Sequence, residues 1–230
     1  MYTSPETDAS NLINMALSPA QTATIASTIS PVRLGTYLAA TGFSPGATAL
    51  DIYIWNALVS GAFFSSLHIC EVVMRNGIAH ALELKYGTDW PWNAGFERTL
   101  TAARKADLQQ ARQGISVGST GKVIAELKFV FWCKMFTVRH DAHVWNAHLR
   151  SAFTFLPFPL TVAAARTMLY DEMEALRGFR NRIAHHEPIF AYPLDEHHAR
   201  IARLIKTRCG DTAEWLTQWE VVTAALAAKP

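Results

Sequence analysis

The chain has few cysteines and no cysteine pair. Its three cysteines, Cys70, Cys133 and Cys209, lie far apart and form no C-x-x-C motif, so neither a zinc ribbon nor a disulfide framework is predicted. Residues 1–30 contain no basic segment followed by an apolar run. No secretion signal is therefore predicted, and we expect the protein in the reducing cytoplasm.

The common catalytic motifs are also missing. The sequence has no glycine-rich phosphate loop before a helix, no G-x-S-x-G elbow and no H-E-x-x-H pair. Two groups of histidines, His140/His143/His148 and His197/His198, have no convincing set of carboxylate or thiolate partners. We therefore expect surface or capping histidines rather than metal ligands, and neither a metal nor another cofactor.

Charge is sparse and unevenly distributed. Of the 230 residues, 50% are hydrophobic and 17% are charged, which excludes an intrinsically disordered chain. The net charge is only +2, yet residues 100–182 contain twelve Lys and Arg against six Asp and Glu. Such a basic segment suits a phosphate-binding surface, although solvated helix faces produce the same count.

One long stretch carries no formal charge. It runs for nineteen residues from Ile52 to Cys70, which is long enough for a transmembrane helix. Its polar residues, such as Asn56, Ser65 and His68, are costly in lipid. The pattern favours a buried helix of a soluble protein without a membrane partner, and a membrane span is the alternative.

Apolar residues recur at helical spacing, and strand signals are scarce. The sequence predicts an all-α bundle, with a polar extension at 1–29, a helical domain at 30–205 and a helical extension at 206–230. Pro31 and Pro45 mark predicted helix starts. A break near Gly61 is expected, since an unbroken helix from residue 50 to 87 would exceed the diameter of a small domain. The other predicted helices span 31–41, 93–113, 122–136, 145–155 and 162–183, followed by two near the C-terminus, with a loop at 114–121.

A six-residue motif occurs twice. R-N-x-I-A-H stands at 75–80 and again at 180–185, with five of six positions identical. On a helix Asn181 and His185 share a face, and Arg180 lies about 100° from Asn181. In the first copy, Glu71 precedes Arg75 by four residues, the spacing of an ion pair within a helix.

These residue types suit phosphodiester cleavage. Arginine binds phosphate oxygens with two N–H groups, histidine moves a proton near neutral pH, and an amide orients either group. In RNA the 2′-hydroxyl is an internal nucleophile, so a positioned histidine and a charge stabiliser are enough without a metal. The alternative is that arginine and histidine only complement the carbonyls at a helix end.

The context of the second copy, LRGFRNRIAHHEPIF at 176–190, resembles the signature of the Abi-like (AbiD/AbiF type, abortive infection) proteins, a branch of the HEPN superfamily. Other landmarks of the family follow in the same order. They are Y-x-W-N at 53–56, the segment 71–80 with Y-G-x-x-W at 86–90, GKVIAELKFVFW at 121–132 and W-N at 145–146. The resemblance covers residues 30–205.

The resemblance implies an all-α HEPN bundle with metal-independent endoribonuclease activity in antiphage or toxin–antitoxin defence. Its R-x4-6-H motif corresponds to Arg180 through His185 and includes Asn181. By this analogy His185 acts as general base or acid, and Arg180 stabilises the phosphorane charge. The products would be a 2′,3′-cyclic phosphate and a 5′-hydroxyl end.

The implied partners are RNA, a second copy of the chain, and an antitoxin or phage-derived trigger. HEPN sites usually form across a dimer, and the seven tryptophans are of a type that anchors interfaces. As an alternative to the dimer, the two motif copies approach each other within one chain. As alternatives to the nuclease, the chain is a catalytically silent RNA- or protein-binding module, or a phage-exclusion effector with membrane elements at 52–70 and 123–136. Further candidates are Glu71, Arg75, Asn76, His80, His186 and Glu187 lining the site, with Lys128, Arg177 and Arg182 as RNA contacts.

Overall fold

The computed structural model describes residues 17–40 and 42–230. This part of the chain contains twelve α-helices and no β-strand, which confirms the all-α prediction. Short 3₁₀ turns at Trp90–Trp92 and Val138–His140 and a π-helical turn at Asp141–Trp145 complete the regular structure. The helices are α1 (Pro19–Ile29), α2 (Pro31–Leu38), α3 (Ala49–Tyr86), α4 (Ala94–Thr99), α5 (Ala102–Ala111), α6 (Thr120–Glu126), α7 (Phe129–Met135), α8 (Asn146–Ala152), α9 (Val162–Ala184), α10 (Leu194–Arg208), α11 (Gly210–Trp219) and α12 (Val222–Ala227).

The predicted break near Gly61 is wrong, because α3 continues through it for 38 residues. At 1.5 Å per residue this helix is about 57 Å long. A glycine inside a helix costs only about 1 kcal/mol relative to alanine. Val59 and Phe63, on either side of Gly61, are fully buried, and their burial outweighs that cost.

The start of α3 also differs from the prediction. Pro45 precedes the helix, and Thr48 forms its N-terminal cap instead. The Thr48 backbone N–H and hydroxyl both donate to the Asp51 carboxylate, and the Asp51 N–H donates to the Thr48 hydroxyl oxygen at 3.2 Å. This reciprocal arrangement satisfies N–H groups that the first turn leaves without helical partners.

The chain forms two compact units. One includes α1, α2, the beginning of α3 and α12, and the other spans residues 64–220. In the first unit the Trp55 indole donates to the Ala225 carbonyl at 2.8 Å and packs edge-on against Phe43. Pro31 begins α2 as predicted, but α2 ends at Leu38, and residue 41, its predicted end, lies outside the described residues. Of the predicted polar extension, residues 1–16 also lie outside, while α1 buries none of its residues.

Two predicted helices are each divided in two. The segment 93–113 contains α4 and α5, capped by the side chains of Asn93 and Thr101. The segment 122–136 contains α6 and α7, separated at Leu127 and Lys128, which are extended. The buried Trp132 indole donates to the Leu127 carbonyl at 3.2 Å, so the break supplies a hydrogen-bond partner within the core.

The helix that carries the second R-N-x-I-A-H copy is confirmed. The Thr161 hydroxyl caps the start of α9 by accepting from the Ala164 N–H, and the helix ends at Ala184. One apolar stripe runs along it and is buried within the second unit. Its members are Ala165, Leu169, Met173, Leu176, Phe179 and Ile183. Near the C-terminus, three helices occur where two were predicted.

Among the described residues, α3 is the one helix long and apolar enough to cross a membrane by length and composition. The core helix of a soluble protein passes the same test. Buried residues make up 39% of the most apolar stretch of α3. Asn56 and Ser66 are among the buried residues of the helix.

Two glycines of α3 provide a matched test of its packing. A Cβ at Gly77 would lie 2.8 Å from the Phe153 ring, whereas a Cβ at Gly61 would meet nothing within 4 Å. We predict that Gly77→Ala destabilises the protein by about 1–3 kcal/mol through overpacking. Gly61→Ala should instead stabilise it by about 0.5–1 kcal/mol. Urea unfolding of both variants measures this, and a Gly77→Ala protein as stable as Gly61→Ala would contradict the described packing.

Candidate functional site

The end of α9 carries the second motif copy. Ile183 is 6% exposed and fixes the rotation of the last turns against the core. His185 forms the C-cap, where its N–H donates to the Asn181 carbonyl at 2.9 Å. His186 then adopts a left-handed φ of 56°, and the chain leaves the helix. Burial of one apolar side chain therefore holds the polar residues around it at the surface.

Arg180 forms an ion pair with Glu71 of α3. The Nε atom of Arg180 donates to Oε1 of Glu71 at 3.1 Å, and the two side chains are 35% and 23% exposed. The predicted pair of Glu71 with Arg75 is therefore wrong, since the Glu71 carboxylate pairs with the partner on α9 instead. The Nη atoms of Arg180 make no hydrogen bond to the described residues and remain available to an anion.

His185 and Asn181 complete this end of the helix. His185 is exposed, and its imidazole makes no hydrogen bond to the described residues, while Asn181 is half-buried. Arg180 and His185 are five positions apart in the chain, so at helical geometry their side chains leave the axis about 140° apart and about 7.5 Å apart along it. Arg180 consequently contacts α3, whereas His185 is open to solvent.

Arg182 and Glu187 bind each other. Nη1 of Arg182 lies 2.9 Å from Oε2 of Glu187, and Nη2 donates to the Pro188 carbonyl at 3.3 Å. The guanidinium carbon also lies 4.7 Å from the centre of the Tyr192 ring. These contacts hold the turn after α9. Arg182 therefore has a structural role in addition to being a predicted RNA contact.

The other two predicted RNA contacts lie elsewhere in the second unit. Arg177 makes two hydrogen bonds to Glu174, at 3.2 and 2.9 Å, and these raise the pKa of its guanidinium. Lys128 is exposed at the N-cap of α7 and lines a groove of about 130 Å³ together with Asp107 and Glu126. The structure shows no contact of either residue with Arg180.

The first motif copy has a different environment although its sequence is nearly the same. It lies in the middle of α3, so the helix-end interpretation applies only to the second copy. Ile78 is fully buried, like Ile183, but Asn76 is exposed and His80 is partly exposed. The Arg75 Nε atom is buried without a hydrogen-bond partner. The second copy is contacted by Glu71, four residues before Arg75, through the hydrogen bond from Arg180.

Sequence reasoning missed His197, which supports the site from α10. The residue was expected at the surface or at a cap, and so was His140, but they are only 6% and 3% exposed. The His197 ring stacks on Phe179, next to Arg180, with centroids 4.1 Å apart and an interplanar angle of 11°. Burial and then the nearby Arg200 lower the pKa of His197 to about 4. The sequence does contain a signal for this burial, because position 197 falls on the same face of α10 as the apolar residues Leu194 and Ile201.

The Glu172 carboxylate, on α9, holds α10 in place. Glu172 accepts hydrogen bonds from Arg200 at 2.9 Å and from Arg203 at 3.2 Å. No group of three or more His, Cys, Asp or Glu side chains suited to a metal occurs in the described part of the chain. The candidate site consists of the Arg180 guanidinium, the Asn181 amide and the His185 imidazole, with the Glu71 carboxylate bound to Arg180.

No protein-family model, curated protein or solved structure matches the chain significantly. The resemblance to the Abi-like proteins therefore depends on the sequence landmarks alone.

The depressed pKa of His197 predicts acid sensitivity. Between about pH 6.5, the ordinary histidine value, and about pH 4, the unfolded state binds the proton that the folded state excludes. Stability is therefore fully present above this window and falls as the pH drops through it, by about 3 kcal/mol at most for this residue.

His197→Phe keeps an aromatic ring on Phe179 and removes the titration. We expect urea unfolding at pH 7 and pH 4.5 to show a smaller loss for this variant than for the wild type. The residual loss includes His140, whose pKa is also lowered to about 4 by burial and Arg139. His68→Gln, at an exposed histidine, is the control, and an unchanged pH dependence of His197→Phe would contradict the assignment.

Proposed function

We propose that the protein is a metal-independent endoribonuclease of the HEPN type, of the Abi-like family, acting in the cytoplasm in antiphage or toxin–antitoxin defence. One arrangement carries the proposal. Glu71 orients Arg180 through its Nε atom and leaves the Nη edge available, while His185 is exposed at the end of the same helix. Such a pair supplies a charge stabiliser and a proton acceptor, which RNA cleavage through the 2′-hydroxyl requires.

The reaction uses groups of the chain and the substrate alone. His185 removes the proton of the 2′-hydroxyl, and the 2′-oxygen attacks the adjacent phosphorus. The bond from phosphorus to the 5′-oxygen breaks, and a protonated histidine returns a proton to this leaving oxygen. Arg180 binds the non-bridging oxygens, on which negative charge grows in the transition state. Asn181, on the face of His185, orients the imidazole or the substrate.

A second chain completes the site in this proposal. Because Arg180 and His185 leave α9 about 140° apart, they do not converge readily on one phosphate from the same helix. A two-fold dimer brings the Arg180 of one protomer towards the His185 of the other, and a dimer with this symmetry contains two such sites.

A non-catalytic HEPN module that binds RNA or protein is the second candidate. The ion pair with Glu71 favours it, because the carboxylate neutralises part of the Arg180 charge. Such a module would bind RNA in a salt-dependent way and leave it intact.

Mutation of the pair separates these candidates. We expect the purified protein to cut mixed RNA in EDTA, and His185→Ala or Arg180→Gln to lower the rate by about 100-fold or more. The exposed residues His143 and Arg98 provide matched controls, since His143→Ala and Arg98→Gln should cut at the wild-type rate. Intact RNA, or equal cleavage by the His185→Ala protein, would contradict the catalytic proposal.

Mixing two inactive variants tests the dimer. If one site takes Arg180 and His185 from different protomers, random pairing of Arg180→Gln and His185→Ala chains restores about a quarter of the wild-type sites. The mixture is prepared by unfolding and refolding the two chains together, and the cleavage rate is compared with that of each variant refolded alone. No recovery from a mixture shown by sedimentation to contain dimers would place the site within one chain.

A further inference from the structure

An apolar cavity lies in the second unit, and no residue of the candidate site lines it. It has a volume of about 280 Å³ and is formed by α9, α10 and the loop that follows α8. The Phe155 N–H of this loop donates to the Thr207 carbonyl of α10 at 3.1 Å, which ties the loop to the helix. Small-molecule sites typically have volumes of about 300–1,000 Å³. The cavity is just below this range, so its size suits a small organic ligand.

Apolar atoms form most of the surface of this cavity. Leu204 is only 1% exposed, whereas Phe155 is 58% exposed and Met168 is partly exposed. Phe155 and Met168 therefore have surface that a ligand can reach. Removing apolar surface from water is favourable, so these walls favour a ligand with an apolar body.

The charged residues around the cavity are unevenly paired. The Glu172 carboxylate accepts hydrogen bonds from Arg200 at 2.9 Å and from Arg203 at 3.2 Å, so its negative charge is offset. Arg203 also binds Glu196 at 2.7 Å, and these two acids and two arginines balance one another. Lys206 lines the cavity, is exposed and makes no ion pair with the described residues. The lining therefore contains one surplus positive charge.

We propose that this cavity binds a small amphipathic carboxylate. Its apolar part covers Phe155, Met168 and Leu204, and its carboxylate pairs with the ammonium group of Lys206. The flexible four-carbon stem of a lysine lets the ammonium group reach a headgroup at the mouth of the cavity. None of these residues is assigned to RNA cleavage, so the site stands independently of that function.

Titration with octanoate tests the site, since octanoate is an aliphatic chain with one carboxylate. The full-length protein, isotope-labelled at its methionine methyl groups, is titrated at pH 7 in low salt and followed by NMR. We expect saturation below about 1 mM and a shift of the Met168 methyl signal, which its loss in Met168→Leu identifies. The signal of Met173, a fully buried residue of the same helix, should shift less. Absence of saturation, or saturation that leaves the Met168 signal in place, would overturn the proposal.

Lys206→Gln and octanol, a neutral ligand of the same length, test the charge. Lys206→Gln should weaken octanoate binding by about three- to fivefold, the upper part of the range for a partly exposed ion pair, and leave octanol binding unchanged. Lys206 is exposed, so this replacement leaves folding unaffected. Lys122→Gln, at an exposed lysine outside the cavity, is the control and should bind octanoate as the wild type does. Equal octanoate affinity in Lys206→Gln and the wild type, or equal affinity of the wild type for octanoate and octanol, would refute a carboxylate ligand.

Phe155→Ala tests the apolar part of the site. Loss of this ring should weaken the binding of octanoate and of octanol alike, by about fivefold or more, because less apolar surface is buried. Phe158→Ala is the control, since Phe158 is 91% exposed and does not line the cavity. Unchanged binding of both ligands to Phe155→Ala would place them elsewhere on the protein and contradict the assignment.

A second acid distinguishes the source of the carboxylate. Phenylpropionate carries an aromatic ring in place of most of the aliphatic chain. If it shifts the Met168 signal at lower concentration than octanoate does, the ligand is an aromatic acid, and the reverse order identifies a fatty acid. If neither acid shifts this signal, the cavity does not bind a carboxylate.

Discussion

Six apolar side chains of α9, spaced at the helical period, are withdrawn from water, and the rest of the candidate site depends on this packing. Burial of a residue such as Leu176 or Phe179 contributes about 1.5–3 kcal/mol. The stripe also fixes the rotation of the helix. With Ile183 turned inward, Arg180 contacts α3 and His185 faces solvent, so the orientation of the polar groups is a consequence of the core.

Polar contacts then refine this arrangement. Glu71 binds one edge of the Arg180 guanidinium, and the His197 ring packs on the preceding Phe179. Partly exposed ion pairs contribute only about 0–1 kcal/mol to stability. The Glu71 pair therefore matters more for where it holds the guanidinium than for the free energy of folding. In the same way Arg182 and Glu187 define how the chain turns away from α9.

The sequence predicts those parts of the fold that depend on periodicity. The all-α class and the limits of α9 follow from spaced apolar residues and a proline-rich end. The unbroken α3 does not follow in this way, because the free-energy cost of a glycine at position 61 is smaller than the stabilisation from burying Val59 and Phe63. The Glu71–Arg180 pair joins residues 109 positions apart, and no local pattern reveals such a contact. The burial of His140 and His197 is not predicted for the same reason, since the nearby sequence does not show which face of a helix a neighbouring helix covers.

In the proposed reaction Arg180 and His185 direct the 2′-hydroxyl of RNA against its own phosphate. The most direct measurement compares cleavage of an oligoribonucleotide with that of the same molecule carrying a single 2′-deoxy residue at the cleaved position, in EDTA, with mass analysis of the ends. We expect a 2′,3′-cyclic phosphate and a 5′-hydroxyl from the first substrate, and no cleavage at that position in the second. Cleavage at the deoxy position, or products with a 5′-phosphate, would contradict it.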